Sequence, residues 1–262
     1  MKIELYQVDA FTDELFHGNP AAICMLDRWL DDNSMQKIAM ENNLSETAFV
    51  VKNYNQFQIR WFTPIAEVDL CGHATLAAAH IIFNQYHYKK NVISFNSIHS
   101  GILRVRNEGE YLTLDFPAQK IKKIIPPDKL IEGIGKEPIE IYKGKTDYLL
   151  VYQNEKEVQT ISPDFTVLSK INIRGVIVTA KGNLYDFVSR FFAPKVGVNE
   201  DPVTGSAHTI LIPYWGKKLK KDEMVAKQLS ARQGLLKCRT NNNRVYISGK
   251  AITYLKGEIL NL

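Results

Sequence analysis

The chain holds 262 residues, 45% of them apolar, enough to bury one large core or two modest ones. With 33 Lys and Arg against 28 Asp and Glu the net charge is only +5, far from the dense basic patch that grips nucleic acid, so no nucleic-acid partner is expected. No apolar run nears the roughly 20 residues of a membrane helix, and the opening MKIELYQVDAFTDELF is broken by Glu4, Asp9, Asp13 and Glu14 where a signal peptide would be apolar, so neither membrane nor export is expected.

In chain order, IELYQVDAF is rich in β-branched and aromatic residues and reads as a strand. DDNSMQKIAMENN follows with good capping residues and Met35, Ile38 and Ala39 at helical spacing. ETAFVV and FQIRWF read as strands, and ILRVR and YLTLDF as a hairpin joined at NEGE, residues 107 to 110. After FPAQKIKKIIPP lysines and prolines cluster. A boundary there predicts an N-terminal α+β domain over 1–117 and a C-terminal one over 118–262, with the last strand free to return to the first domain. DYLLVY, RGVIVTA and LYDFVSRFF read as strands of the second set, with a helix at PDFTVLSKI between the first two. GKKLKKDEMVAK reads as a helix with lysines on a solvated face. Cys24, Cys71 and Cys238 are odd in number and form no CxxC pair, which predicts reduced thiols in a cytoplasmic protein.

Laid together, the two halves repeat. Arg60-Trp61-Phe62-Thr63-Pro64 is matched 130 residues later by Arg190-Phe191-Phe192-Ala193-Pro194. Each block is followed, after a polar loop, by a glycine that opens an apolar run: Cys71-Gly72-His73-Ala74-Thr75 before LAAAHIIF, and Thr204-Gly205-Ser206-Ala207-His208 before TILIPYW. One unit used twice is the natural reading.

Both apolar runs predict helices buried on all sides, whose first N–H groups need partners. An internal Ser or Asp cap would serve. So would a bound anion, which helix-start amides favour and which glycine lets approach. Two such starts could converge on one small anionic or zwitterionic ligand. Glu46 opens an apolar strand on the same face as Ala48 and Val50, where a carboxylate takes up a proton more readily than in water. A plain strand-end glutamate facing solvent is the competing reading.

FTDELFHGNPAA, NNLSETAFV, RWFTP, DLCGHATLAAA, YDFVSRFFAP and EDPVTGSAH together resemble the PhzF-like phenazine-biosynthesis family through nearly the whole chain. The resemblance implies a diaminopimelate epimerase-like fold: α+β, two pseudo-symmetric domains, each a curved, mostly antiparallel sheet or barrel around a central helix, with the active site in the cleft between them. It implies a cofactor-independent isomerase of a small carboxylic or amino acid, usually a homodimer. Glu46 would move the proton. His73, Asp201 and Ser206 would bind substrate, with Gly72 and Gly205 supplying backbone donors. His17-Gly18-Asn19-Pro20 also matches the family and has no assigned role.

Two other readings compete. Cys71-Gly72-His73 is also similar to the cysteine turn of two-thiol racemases, but the second half carries Pro202 and Val203 where a second thiol is wanted. A non-catalytic member that binds a metabolite or protein is the other; it need not keep Glu46, His73, Asp201 and Ser206 together. His80, His87, His99 and His208 lack metal-ligand spacing, and no G-x-G-x-x-G or Walker loop is present, so neither metal nor nucleotide cofactor is expected.

Overall fold

The structure is a computed structural model that describes residues 2–53 and 56–260. The chain divides into two compact units, residues 1–115 with 248–262, and residues 116–247.

The first unit begins with strands β1 (Ile3–Ala10) and β2 (Asn19–Leu26) and helix α1 (Asp32–Asn42). Strands β3 (Glu46–Asn53), β4 (Gln56–Phe62) and β5 (Glu67–Val68) follow, then helix α2 (Gly72–Asn84). Strands β6 (Val92–Ser97), β7 (Gly101–Glu108) and β8 (Tyr111–Pro117) complete the run. The β7–β8 hairpin pairs Glu108 with Tyr111, so the turn tightens to Gly109 and Glu110 within the expected NEGE. Asp31 caps α1 by accepting the Ser34 N–H at 3.0 Å, and Met35, Ile38 and Ala39 are its buried face, as their spacing predicts.

Pairing is mixed: β1–β2, β3–β4, β6–β7 and β7–β8 are antiparallel, β2–β3 and β4–β6 parallel. Strands β9 to β16 belong to the rest of the chain, and β17 (Ala251–Ile259) returns to pair antiparallel with β1. Helix α2 touches β17, β1, β2, β3 and β7, so the sheet curves around it. Among the described residues the pairs of this unit run from β17 through β1 to β8, and the sheet is not closed into a barrel. On the outer face α1 packs Met35, Ile38 and Ala39 against Cys24, Phe49 and Val51. Strands β2 and β3 are therefore buried on both faces, Glu46 and Ala48 on the α2 side and Phe49 and Val51 on the α1 side.

The second unit opens with β9 (Lys122–Lys123), α3 (Asp128–Ile134), β10 (Glu140–Lys143) and β11 (Asp147–Val151). Short helices α4 (Glu155–Thr160) and α5 (Phe165–Ser169) precede β12 (Gly175–Lys181) and β13 (Phe187–Phe192). Helix α6 (Gly205–Leu219) and strands β14 (Glu223–Gln228), β15 (Gly234–Asn241) and β16 (Arg244–Gly249) finish it. The pairing order of the first unit recurs: β11–β12 parallel, β12–β13 antiparallel, β13–β14 parallel, β14–β15 antiparallel. Helix α6 is the counterpart of α2. Its Trp215 donates to Thr179 on β12 at 2.9 Å and stacks on Phe187 of β13. Pro213 inside α6 has no N–H for the Thr209 carbonyl, and the Gln119 N–H fills that place at 3.0 Å.

One expectation needs correction. GKKLKKDEMVAK is not one helix: α6 stops at Leu219, Lys220 turns left-handed at φ 57°, and EMVAKQ is strand β14. Met224, Ala226 and Gln228 are buried at every second residue, a period of two that fits a strand.

The duplicated Arg-x-Phe blocks hold matched clamps. Arg60 makes a bidentate pair with Glu67 at 2.7 and 2.6 Å and lies 5.2 Å over the Phe62 ring. Arg190 does the same with Glu200 at 2.7 and 3.0 Å and lies 4.8 Å over Phe192. Each clamp ties the end of a strand to the loop that delivers the buried helix, and planar forks of this kind fix orientation as well as charge.

Candidate active site

In the first unit the site is built where β3 starts and α2 begins. The N-cap of α2 is Cys71, whose side chain makes no capping bond, and no acidic residue stands in the first turn. The helix start thus keeps its positive end uncompensated by its own side chains. His73, the second residue of α2, is buried and places Nε2 at 3.1 Å from Glu46 Oε2. That is the distance of an ion pair but not the direction of a hydrogen bond, because Oε2 is buried with no hydrogen-bond partner. Glu46 itself keeps 17% of its side chain exposed.

Burial opposes a charge on His73, but its neighbours Cys71 and Glu46 outweigh it and hold the imidazole pKa well above the usual histidine range. The Cys71 thiol is pushed up to about 11 by burial, with the Glu46 charge adding. It is therefore a neutral thiol near pH 7, which leaves the Glu46 carboxylate as the acidic neighbour of His73. The Asn19 amide lies 3.1 Å from His73 Nδ1. The two ends of an amide interchange by a flip, so Asn19 serves that nitrogen in either protonation state. Gly18 delivers Asn19: at φ +66°, a Cβ there would sit 2.2 Å from the Ala10 carbonyl oxygen, so only glycine fits.

In the second unit Thr204 is the N-cap of α6 and likewise gives no side-chain cap. Its hydroxyl donates instead to Asp201 Oδ2 at 2.5 Å. Fully buried Gln228 accepts the Thr204 N–H at 2.9 Å and donates to the Asp201 carbonyl at 2.7 Å, which locks the Asp-Pro-Val-Thr turn. Thr204, not Pro202 or Val203, holds the position that Cys71 holds in the first unit, so the second thiol of a two-thiol racemase is absent from the matched place. Ser206, the second residue of α6, accepts a hydrogen bond from Arg174 Nη2 at 3.1 Å. Arg174 is held by fully buried Asp147, with Nε to Oδ1 at 2.8 Å and Nη2 to Oδ2 at 2.5 Å.

The predicted residues fall into two sets. Glu46, Gly72 and His73 come together in one unit, and Asp201, Gly205 and Ser206 in the other. Sequence reasoning missed Arg174, Asp147 and Gln228, and it left Asn19 without a role. Asp147 and Arg174 lie 27 residues apart and carry no local spacing signal; only a longer repeat alignment points to them. Among the described residues one group could hold a metal ion, Glu46, Cys71 and His73, with ligand atoms within 4.8 Å of one another. The Cys71 sulfur lies 3.5 and 3.9 Å from the two ring nitrogens of His73. It sits nearly midway between them rather than beside the Nε2 lone pair, so a cation would need the thiol to move.

No helix of the described residues is long and apolar enough to cross a membrane. The family of phenazine biosynthesis-like proteins, PhzC-PhzF, matches residues 8–257. An uncharacterized isomerase of Pseudomonas aeruginosa is 51% identical over 259 residues, 99% of each chain. The crystal structure of a PhzF-family protein from Enterococcus faecalis superposes with a TM-score of 0.96 at 47% identity, covering 100% of both chains. A hydroxyproline epimerase from Agrobacterium vitis, solved with trans-4-hydroxy-L-proline, shares the fold alone: TM-score 0.66 and 8% identity over 98% of this chain and 92% of that one.

Proposed function

This chain belongs to the phenazine biosynthesis-like PhzC-PhzF family, and from that premise we propose that it is a cofactor-independent isomerase moving a proton on a small carboxylic or amino acid. The observation that carries this reading is the Glu46–His73 contact of 3.1 Å at the start of a buried helix. Relatives named as isomerases support the reaction class.

Glu46 is the acid–base group. Its carboxylate takes a proton from a carbon conjugated with the substrate's carboxyl group, and the electron pair left behind spreads into that carboxyl as an enediolate. The helix-start amide at Gly72 donates to the developing charge, and Gly205 and Ser206 are the substrate-binding donors proposed for the second unit. Protonated Glu46 then returns the proton to a different carbon, and the double bond moves with no net change in atoms or electrons. His73, 3.1 Å from Glu46, orients its carboxylate. Asp201 takes a substrate amino group. Cys71, pushed up to about 11, is a poor base near pH 7.

Three free, buried cysteines fit a reducing, cytoplasmic setting. A homodimer is the proposed assembly, and light scattering would measure it. The function itself is tested by incubating the protein in deuterated water with a panel of small amino and hydroxy acids, cyclic dienes included. Carbon-bound deuterium in at least one acid is expected by mass spectrometry. No exchange into any acid, with binding intact, would point to a non-catalytic binder.

A further inference from the structure

The two units carry the same junction with different chemistry, and strand register makes the match residue by residue. In the first unit Phe49 pairs with Arg60; in the second Val178 pairs with Arg190. Counting back three residues from each aligns Glu46 with Gly175. The parallel pairs agree, with Ala21 opposite Glu46 and Asp147 opposite Gly175. In the first unit the strand head reaches the second residue of the buried helix through Glu46 and His73. In the second it reaches the second residue of α6 through Arg174 and Ser206.

The second unit cannot repeat the glutamate. A Cβ on Gly175 would lie 2.3 Å from the Phe191 ring, so that ring fills the place of the side chain. Arg174, one residue earlier, lies 5.3 Å over the same ring and turns its fork towards α6. Nε and Nη2 are spent on Asp147 and Ser206. Nη1 donates to nothing among the described residues, on a side chain that is 35% exposed.

The consequence for Ser206 is one of direction. A guanidinium only donates, so Ser206 Oγ is the acceptor in that bond. Its own proton then has no acceptor among the described residues. We propose that Arg174 is a positioning and specificity residue: it fixes Ser206 as a hydrogen-bond donor and, with Nη1, presents a paired set of donors to the substrate's carboxylate. The matched position thus carries a proton-transfer pair in one unit and a carboxylate-selecting pair in the other. Asp147 is the buried counter-ion that holds the fork. This rests on the reading above that Ser206 holds substrate, but not on Glu46 being the base.

The test uses anthranilate as probe against 2-aminobenzamide, in which an NH2 group replaces one carboxylate oxygen and removes the charge. Arg174→Gln alone would strand the buried Asp147, so the variant is Asp147→Asn/Arg174→Gln, checked for folding by circular dichroism. Calorimetry on the wild type should show anthranilate bound more tightly than the amide. The double variant should lose about 10–100-fold for anthranilate, as expected when charge-assisted hydrogen bonds go, with little change for the amide. A purely structural role would weaken both ligands equally, and that result overturns the proposal. So does a wild type that fails to prefer anthranilate, or binds neither probe at millimolar concentration. If the double variant does not fold, Ser206→Ala decides, and an unchanged preference there overturns it. Glu46→Gln should abolish deuterium exchange yet keep the preference for anthranilate, so failure of the base and failure of the carboxylate pair are told apart.

Discussion

At the scale of single residues the histidines divide by their neighbours. His73 is raised because Cys71 and Glu46 overcome its burial, and its contribution to stability is therefore full below the unfolded value near 6.5 and lost as pH climbs through the folded one. Glu46→Gln removes one of the two neighbours that raise it, so the His73 titration followed by NMR should move to lower pH in that variant; an unmoved midpoint would show that Glu46 is not its partner. His208 is the opposite case. It is fully buried in α6, donates from Nδ1 to the Thr204 carbonyl at 2.8 Å, and burial depresses it to about 4. A depressed histidine stabilises above its unfolded value near 6.5, and that stability disappears as pH falls towards 4. Holding the imidazole at about 4 rather than near 6.5 corresponds to about 3 kcal/mol. His208→Asn, which keeps a donor near the Nδ1 position, should flatten the loss of stability between pH 6.5 and 4 in urea titrations; an unchanged acid profile would rule His208 out. His208 bonds one turn back to its own helix start, but the state of His73 is not legible in sequence, because its partners lie across the fold: Glu46 and His73 are 27 residues apart, and Asn19 and His73 are 54 apart.

At the scale of elements more could be read in advance. Capping residues and helical spacing located α1, and the glycine-led apolar runs located α2 and α6. The alternation that puts Glu46 on the face of Ala48 and Val50 holds, since Phe49 and Val51 pack on the other side against α1. What escaped were elements with weak periodicity. Helix α4 is six residues long and buries only Val158, and β14 hides among lysines that continue from the end of α6. The repeated arginines were visible as letters, but their work was not. Arg190 pairs with Glu200 and also donates from Nη1 to the carbonyls of Val158 at 3.2 Å and Ile161 at 2.7 Å, which closes the C-terminal end of α4. With only 11% of its side chain exposed, its removal leaves Glu200 and those carbonyls short of a donor. Arg190→Met should cost about 3 kcal/mol in urea unfolding. Arg190→Lys should recover little, because a point charge cannot replace the fork; full recovery by lysine would show that charge alone matters.

At the scale of the whole molecule, the repeat seen in the letters returns as a repeated order of parallel and antiparallel pairs, each unit with one buried helix started by glycine. What the letters did not carry is the division of chemistry between the copies. Duplication first makes both starts alike, and later substitutions make them differ: Glu46 and His73 in one, Gly175, Arg174 and Ser206 in the other. A family resemblance pointed to Glu46, His73, Asp201 and Ser206, whereas Arg174 emerged only once strand register aligned the halves. The central claim is that Glu46 carries the proton, and Glu46→Gln tests it most directly because it keeps shape while removing the shuttle. For an acid that exchanges with the wild type in deuterated water, the variant should still bind it, with incorporation into carbon slowed about 10²–10⁴-fold. Exchange at the wild-type rate in a folded Glu46→Gln protein would contradict the account.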